Sequence, residues 1–245
     1  MTRALTGVLV IARRDLAAYL NSAWGWVMVA AVLFVNGLMF NAYALGDRPR
    51  YSHEVLELFF YFSSGTTMIA AVLITMRLIA EERQTGTDVL LEGAPLPDGA
   101  IVAGKYLSAM AFLSGLILMS VYMPALIFVN GKIGVSHILA GYAGLFALGS
   151  AVVAIGTFGS SLARSQVVAA VLGGALVVAL LICWLLARVT SPPFAGVLEY
   201  MSLFDRHFRP FMEGRIQTDG LVYYATITLL MLYATTRVIS WRRWR

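Results

Sequence analysis

The sequence predicts an all-α integral membrane protein with six transmembrane helices, an N-terminal amphipathic interfacial helix and short outer helices before the last span. Three observations carry this reading. Of the 245 residues, 60% are hydrophobic and 13% charged, whereas a soluble domain carries roughly 25% charged residues, so a water-soluble fold of this size would lack a polar surface. The apolar residues gather into six runs of the roughly 20 residues that a helix needs to cross a hydrocarbon core. The charges fall between those runs. A soluble enzyme is excluded, and the chain reads as one transmembrane domain over residues 1–245, without an internal repeat or a detached soluble part.

The elements follow in order. In residues 1–20, Arg3 precedes an apolar stretch, but Arg13, Arg14 and Asp15 follow at once and no small-x-small cleavage site intervenes. The segment therefore reads as an uncleaved helix and not as a signal peptide. At about 100° per residue Leu5, Leu9, Ala12, Leu16, Tyr19 and Leu20 share one face, with Arg3 and Arg14 opposite, the pattern of a helix lying in the membrane interface. The spans are predicted over 22–45, 59–79, 101–129, 138–162, 167–187 and 221–239. Gly141, Gly144, Gly149, Gly156, Gly159, Gly173 and Gly174 in the fourth and fifth spans allow close backbone approach, and packing within the chain is expected of them. Lys105, at the start of the third span, is expected to snorkel to the interface. Cys183 lies in an apolar run and reads as a core residue.

Residues 188–220 are too long for a simple turn. They contain Pro192-Pro193, the aromatics Tyr200, Phe204, Phe208 and Phe211, and the polar group Asp205, Arg206 and His207. Short helices re-entering or lying on the outer leaflet are expected, with His207, Phe208 and Phe211 as an extracytoplasmic gate. His207 itself reads as a hydrogen-bonded structural histidine.

With six spans, both ends share one side with Arg3, Arg13, Arg14, Arg77, Arg83, Lys105, Arg164 and the C-terminal arginines. These outnumber the basic residues on the other side, so the positive-inside rule makes both termini cytoplasmic. The C-terminal Trp241-Arg242-Arg243-Trp244-Arg245 suits anionic headgroups and accounts for much of the net charge of +5 without a nucleic-acid partner.

The spans offer no ionisable residue near their centres, which disfavours ion coupling and proton pumping. They offer neutral groups, Asn36, Asn41, Ser63, Ser64, Thr66, Thr67 and Thr75, that suit helix packing and backbone hydrogen bonds. No Asp pair, Ser-His pair or zinc set supports an intramembrane hydrolase, and no catalytic residue is assigned. Residues 99–106 match the glycine and lysine spacing of a phosphate-binding loop, but Tyr106 replaces the required Ser or Thr. His53-Glu54-Val55-Leu56-Glu57 approaches a zinc-protease motif, with Glu57 where the second histidine belongs, and no metal site is expected.

Residues 80–98 are the most informative segment. The second helix runs past the bilayer with a charged end, Gly86 terminates it, Thr87 or Asp88 caps a short helix reaching Leu90 and Leu91, and Gly93, Pro95 and Pro97 stop that helix. Ala80-Glu81-Glu82-Arg83-Gln84-Thr85-Gly86-Thr87, with Ile101-Val102-Ala103-Gly104-Lys105, resembles the signature of ABC-2 type transporter permeases. The stretch 159–169, together with Leu203, His207-Phe208, Phe211 and Gly214, is similar to the gliding-motility and nitrous-oxide-reductase-maturation branch of that family. The sequence departs from the branch at Asp98-Gly99 and at Arg209, Pro210, Glu213 and Arg215.

The resemblance implies a permease subunit in a bacterial inner membrane, paired with an identical or homologous second permease chain. It implies two copies of a separate ABC ATPase that hold the ATP and Mg, and leaves room for a periplasmic or auxiliary membrane subunit. Contact with the ATPase is expected through Arg13, Arg14 and Asp15, through Glu81, Glu82, Arg83, Gly86, Thr87, Asp88, Leu90 and Leu91, and through Arg164 and Gln166. The alternative is a membrane anchor that transmits ATPase motion to an envelope machine while nothing crosses.

Overall fold

The structure is a computed structural model that describes residues 2–44, 51–87, 93, 96–130 and 134–243. Its described helices are α1 (Thr2–Asn21), α2 (Ala23–Ala44), α3 (Ser52–Thr75), α4 (Ala80–Thr85), α5 (Asp98–Met119), α6 (Tyr122–Asn130), α7 (Val135–Leu162), α8 (Gln166–Val189), α9 (Phe194–Met201), α10 (Arg209–Met212) and α11 (Thr218–Arg243). Among the described residues, six helical segments have the length and apolarity to cross a membrane. They are α2, α3 continued by α4, α5 continued into α6, α7, α8 and α11.

The fourth span, α7, is the axis of the bundle. Two thirds of its apolar window is buried (67%), against 22% for α2 and α8 and 17% for α11, which form the periphery. In lipid the hydrophobic effect does not drive helices together, so close packing must do so, and small residues permit it. The glycines of α7 each meet a partner within this chain. A side chain at Gly141 would strike Phe60, at Gly144 Phe211, at Gly149 Leu113, at Gly156 Thr75, and at Gly159 the backbone of Gly173. Packing within the chain was the expectation for these residues, and it holds for all of them except Gly174, whose nearest neighbour is Val72 at 4.0 Å.

Polar groups inside the bundle serve packing at Asn36, Ser64, Thr66 and Thr75, as expected, whereas the buried Ser63 hydroxyl finds no partner among the described residues. Thr66 donates to the Asn36 side-chain oxygen at 2.8 Å and ties α3 to α2, while Ser64 and Thr75 donate to carbonyls of their own helix. Cys183 is buried and its thiol lies 3.2 Å from the Ala179 carbonyl oxygen.

Two boundaries and one packing face differ from the sequence reading. The third span is not continuous: α5 ends at Met119 and α6 begins at Tyr122, because Pro124 has no N–H for the Ser120 carbonyl; at the break Ser120 donates to Ile117 O and pairs with Tyr142 Oη at 3.0 Å. The second span begins at Ser52 and not at residue 59, so the polar His53, Glu54 and Glu57 form its first turns, where acidic side chains oppose the positive helix end. The packing face of α1 also differs. Ile11 and Tyr19 are buried, and Gly104 lets α5 approach Ile11, while Leu5, Leu9 and Leu20 stay exposed. The helix thus has one apolar side against α5 and a second turned outward. Of the short helix proposed after Gly86, Thr87 is non-helical, and Asp88, Leu90 and Leu91 lie outside the described residues.

Candidate functional site

On the side of the chain ends, α1, α3, α4, α5, α7, α8 and α11 come together around one short helix, α4. The second span unwinds over residues 76–79 and restarts at Ala80. A restarted helix exposes unpaired N–H groups at its first turn. Here Ser160 of α7 supplies the acceptor, its hydroxyl oxygen taking the Ile79 and Ala80 N–H groups at 3.2 and 3.1 Å. The far end of α4 closes on Gly86, in the left-handed region at φ +73, with Thr87 N–H bonded to Glu82 O and Gly86 N–H to Arg83 O. That is the paired hydrogen-bond pattern of a glycine-terminated helix, and a residue without a Cβ meets no steric penalty there. Gly86 terminates the helix as the sequence reading held.

Two faces of α4 are anchored. On one, Arg83 donates to the Ser161 and Ala163 carbonyls, the orphan acceptors at the C-terminal end of α7. Beside it Gln84 accepts the Gln166 N–H at 3.4 Å, and Ser165 caps α8 through the Val168 N–H. Arg242 of α11 donates to Leu162 O at 3.2 Å, and Ser240 donates to Asp98 at 2.9 Å. Asp98 thus has a local role: it holds α11 to the first turn of α5.

On the other face lies a charge cluster. Lys105 Nζ is 2.8 Å from Glu82 and 3.4 Å from Asp15, and it donates to Leu78 O at 2.6 Å. Arg14 bonds Asp15 and Glu82, each at 2.8 Å, and Arg77 makes a two-pronged pair with Glu81 at 2.6 and 2.8 Å. Three cations meet three carboxylates around a cavity of about 380 Å³. Tyr19 closes one wall, its hydroxyl donating to Ile74 O at 2.9 Å. Burial and the neighbouring Asp15 carboxylate push the Tyr19 phenol above its ordinary range, so it remains a donor.

Lys105 corrects the sequence reading. It was expected to snorkel; instead its side chain is 3% exposed. The reason is tertiary, since the break at residues 76–79 presents Leu78 O and Glu82 to it and the docking of α1 adds Asp15. Arg77 and Ser160 were likewise missed. One signal was present for Lys105: it is one of two lysines in the chain, against sixteen arginines. A compact ammonium fits between two carboxylates and a carbonyl where a planar guanidinium does not.

The sequence-predicted coupling residues thus divide. Arg14, Asp15 and Glu82 meet in the charge cluster, Glu81 pairs beside it, and Arg83 and Gln166 meet at the α7–α8 turn. Arg13, Gly86, Thr87 and Arg164 are exposed on the same side. The His53–Glu57 motif lies at the opposite end, where His53 stacks on Tyr51 at 5.8 Å between ring centres. Among the described residues no group of three His, Cys, Asp or Glu side chains could hold a metal ion.

At the opposite end, α9 and α10 fold onto α8, α7 and α11. Phe208 and Phe211 are completely buried, and Phe211 occupies the space left by Gly144. Tyr223 and Tyr224 of α11 donate to Met201 O and Leu203 O at 2.6 and 2.8 Å. His207 stacks on Tyr223 with ring centres 3.8 Å apart, and since a carbonyl only accepts, its Nε2–H donates to Tyr200 O at 3.0 Å. Burial and then Arg206 lower its pKa, against the opposing pull of the Tyr200 carbonyl and Asp219. The docked loop therefore favours neutral His207. Its stability is complete above the ordinary histidine pKa of about 6.5 and declines as pH falls through that value. Amide protection in residues 200–214, corrected for the base-catalysed intrinsic exchange rate, is expected to fall between about pH 8 and about pH 5.5, and His207→Phe is expected to remove that dependence at a cost of about 1 kcal/mol.

Between α3 and α8, beneath this loop, lies a groove of about 350 Å³ walled by Tyr61, Gly65, Met68, Leu181, Trp184 and Phe204, with Asp205 in its lining. The family model described as ABC-2 family transporter protein matches residues 9–204, well over half of the chain. No curated protein matches it.

Proposed function

This chain belongs to the ABC-2 family of transporter proteins, and on that premise we propose that it is the permease subunit of an ATP-binding-cassette complex, in which separate ATPase subunits drive the export or rearrangement of an envelope component. ATP and Mg belong to those subunits, and this chain contributes motion and no chemistry. We place it in the gliding-motility and nitrous-oxide-reductase-maturation branch, in a bacterial inner membrane with both termini cytoplasmic. The assembly holds two ATPase copies and a second permease chain, identical or homologous.

The observation that carries this reading is the double anchoring of α4. A load applied at its exposed tip, Gly86 and Thr87, meets Lys105 of the third span through Glu82 and the end of the fourth span through Arg83. The ATPase would bias the spans between two arrangements through these contacts, with no redox or proton step in this chain. The groove between α3 and α8 favours transport over a scaffold that moves nothing, because a scaffold has no use for a recess lined by Tyr61 and Trp184 and opened by Gly65.

Glu82 is committed within the chain, so its reversal would damage the fold as well as any interface. The informative variant is Arg13→Glu with Arg164→Glu, both exposed. In mild-detergent pull-downs from the native host, wild type is expected to retain a nucleotide-binding subunit and the double variant about tenfold less, with an unchanged elution profile. Equal retention by the variant would refute the contact surface, and wild-type protein without any ATPase would refute the permease reading.

A further inference from the structure

Two cavities on the side of the termini share a wall. The first is the charged cavity of about 380 Å³ beside Arg14, Arg77, Glu81 and Glu82. The second, about 240 Å³, is an apolar crevice between α1, α2 and α5, bounded by Leu16, Leu20, Trp26, Phe112 and Leu116. Tyr19 lines both. Its hydroxyl is held by Ile74 O and its ring stacks on Phe112 at 5.2 Å, so the boundary between the two is fixed.

The crevice stays open because Gly115 forms part of it, and a Cβ there would meet no atom within 4 Å. Its position is that of a membrane interface, since the α1–α2 turn carries exposed Trp24 and Trp26, and Trp26 Nε1–H donates to Leu20 O at 2.8 Å. An apolar slot and a charged recess on the two sides of Tyr19 at this level together have the polarity of an amphiphile.

The charges select among amphiphiles. Arg14, Arg77 and Lys105 oppose Asp15, Glu81 and Glu82, so the recess carries both signs and no net charge. Lys105 is buried in its own pairs, whereas the Arg14, Arg77 and Glu81 side chains are 54%, 26% and 32% exposed. A purely anionic headgroup gains no net attraction from such a recess. A headgroup that holds a phosphate and a primary ammonium finds a cation for the one and a carboxylate for the other, whereas a methylated ammonium has no N–H to donate.

We propose that the two cavities form one binding site for a phosphatidylethanolamine-type phospholipid, with an acyl chain in the crevice and the zwitterionic headgroup between Arg14, Arg77 and Glu81. The site is independent of the permease reading, because it requires a membrane and no ATPase.

The test reconstitutes the protein in nanodiscs of phosphatidylethanolamine and phosphatidylglycerol in equal amounts, strips it in mild detergent and counts retained lipid by native mass spectrometry. One phosphatidylethanolamine per chain is expected, enriched about tenfold over phosphatidylglycerol, the preference that a charge-assisted hydrogen bond supports. Gly115→Leu and Ala111→Phe fill the crevice from two positions and are expected to lose that lipid while eluting as wild type does. If either variant fails to fold, the other decides. With wild type alone, exchanging phosphatidylethanolamine for phosphatidylcholine is expected to abolish retention. Preferential retention of phosphatidylglycerol, equal retention of phosphatidylcholine, undiminished retention by a filled crevice, or no retained lipid would each overturn the proposal.

Discussion

Lys105→Met is expected to destabilise the protein by about 3 kcal/mol and to uncouple the spans from ATP hydrolysis. The substitution preserves volume and apolar stem but leaves Glu82 and Asp15, whose side chains are 18% and 13% exposed, with the half-exposed Arg14 as their one remaining shared cation. Removing one member of a largely buried ion pair costs about 3–5 kcal/mol, because a charge remains where water cannot reach it freely. Leu78 O, accepting at 2.6 Å in the wild type, also loses its donor. Thermal unfolding in detergent and ATPase stimulation in reconstituted complexes read the two effects separately. Adding Glu82→Gln should recover about 1 kcal/mol or more, since the damage lies in two carboxylates left to one arginine. Lys105→Arg should not restore the wild type, because a forked guanidinium cannot sit among two carboxylates and a carbonyl in the volume of an ammonium. A Lys105→Met protein within about 0.5 kcal/mol of wild type would sink the assignment of Lys105 as the hub.

A larger effect is expected from Gly159→Val. A Cβ at Gly159 would lie 2.7 Å from the Gly173 amide nitrogen and 2.9 Å from its Cα, so the obstacle is backbone that no rotamer change can clear. Helices α7 and α8 would have to separate, and with them the turn that holds Arg83. A loss exceeding about 4 kcal/mol, and little folded protein extracted from membranes, is the expected result. Gly174→Ala is the contrast, one residue beyond the contact and with its nearest neighbour at 4.0 Å. It should leave stability unchanged or raise it by up to about 1 kcal/mol through helix propensity. Size-exclusion profiles of the two variants at matched expression make the comparison, and similar folded yields would refute the backbone contact.

The number of spans and the packing role of the α7 glycines were legible in the residues, because length, apolarity and absence of a side chain act locally. The termination of α4 at Gly86 was legible for the same reason. The break after Met119 escapes the hydropathy reading because residues on both sides of it are apolar, although Pro124, which has no N–H for the Ser120 carbonyl four residues earlier, marks it; Ser120 then turns to Ile117 O and Tyr142. The start at Ser52 was not legible, since His53, Glu54 and Glu57 lower hydropathy without preventing a helix. The partners of Lys105 come from three separate segments, so its burial depends on how α1, α4 and α5 meet and not on the pattern within any of them. Of the coupling residues, Glu82 and Arg83 were identified as the charged end of a helix, but their engagement inside the chain arises only when α4 is set between α5 and α7.

Helix α7 has 28 residues, a length of about 42 Å at 1.5 Å per residue, enough to reach from one face of a bilayer to the other. Arg83 grips its last carbonyls, and Phe211 is wedged against its third turn at Gly144. It behaves as a single strut clamped at both ends: a tilt of about 5° displaces the far end by about 4 Å. A displacement at one end of α7 therefore reaches the other as a single rigid movement, with no relay between them that a ligand or a mutation at midspan could interrupt without breaking the strut itself.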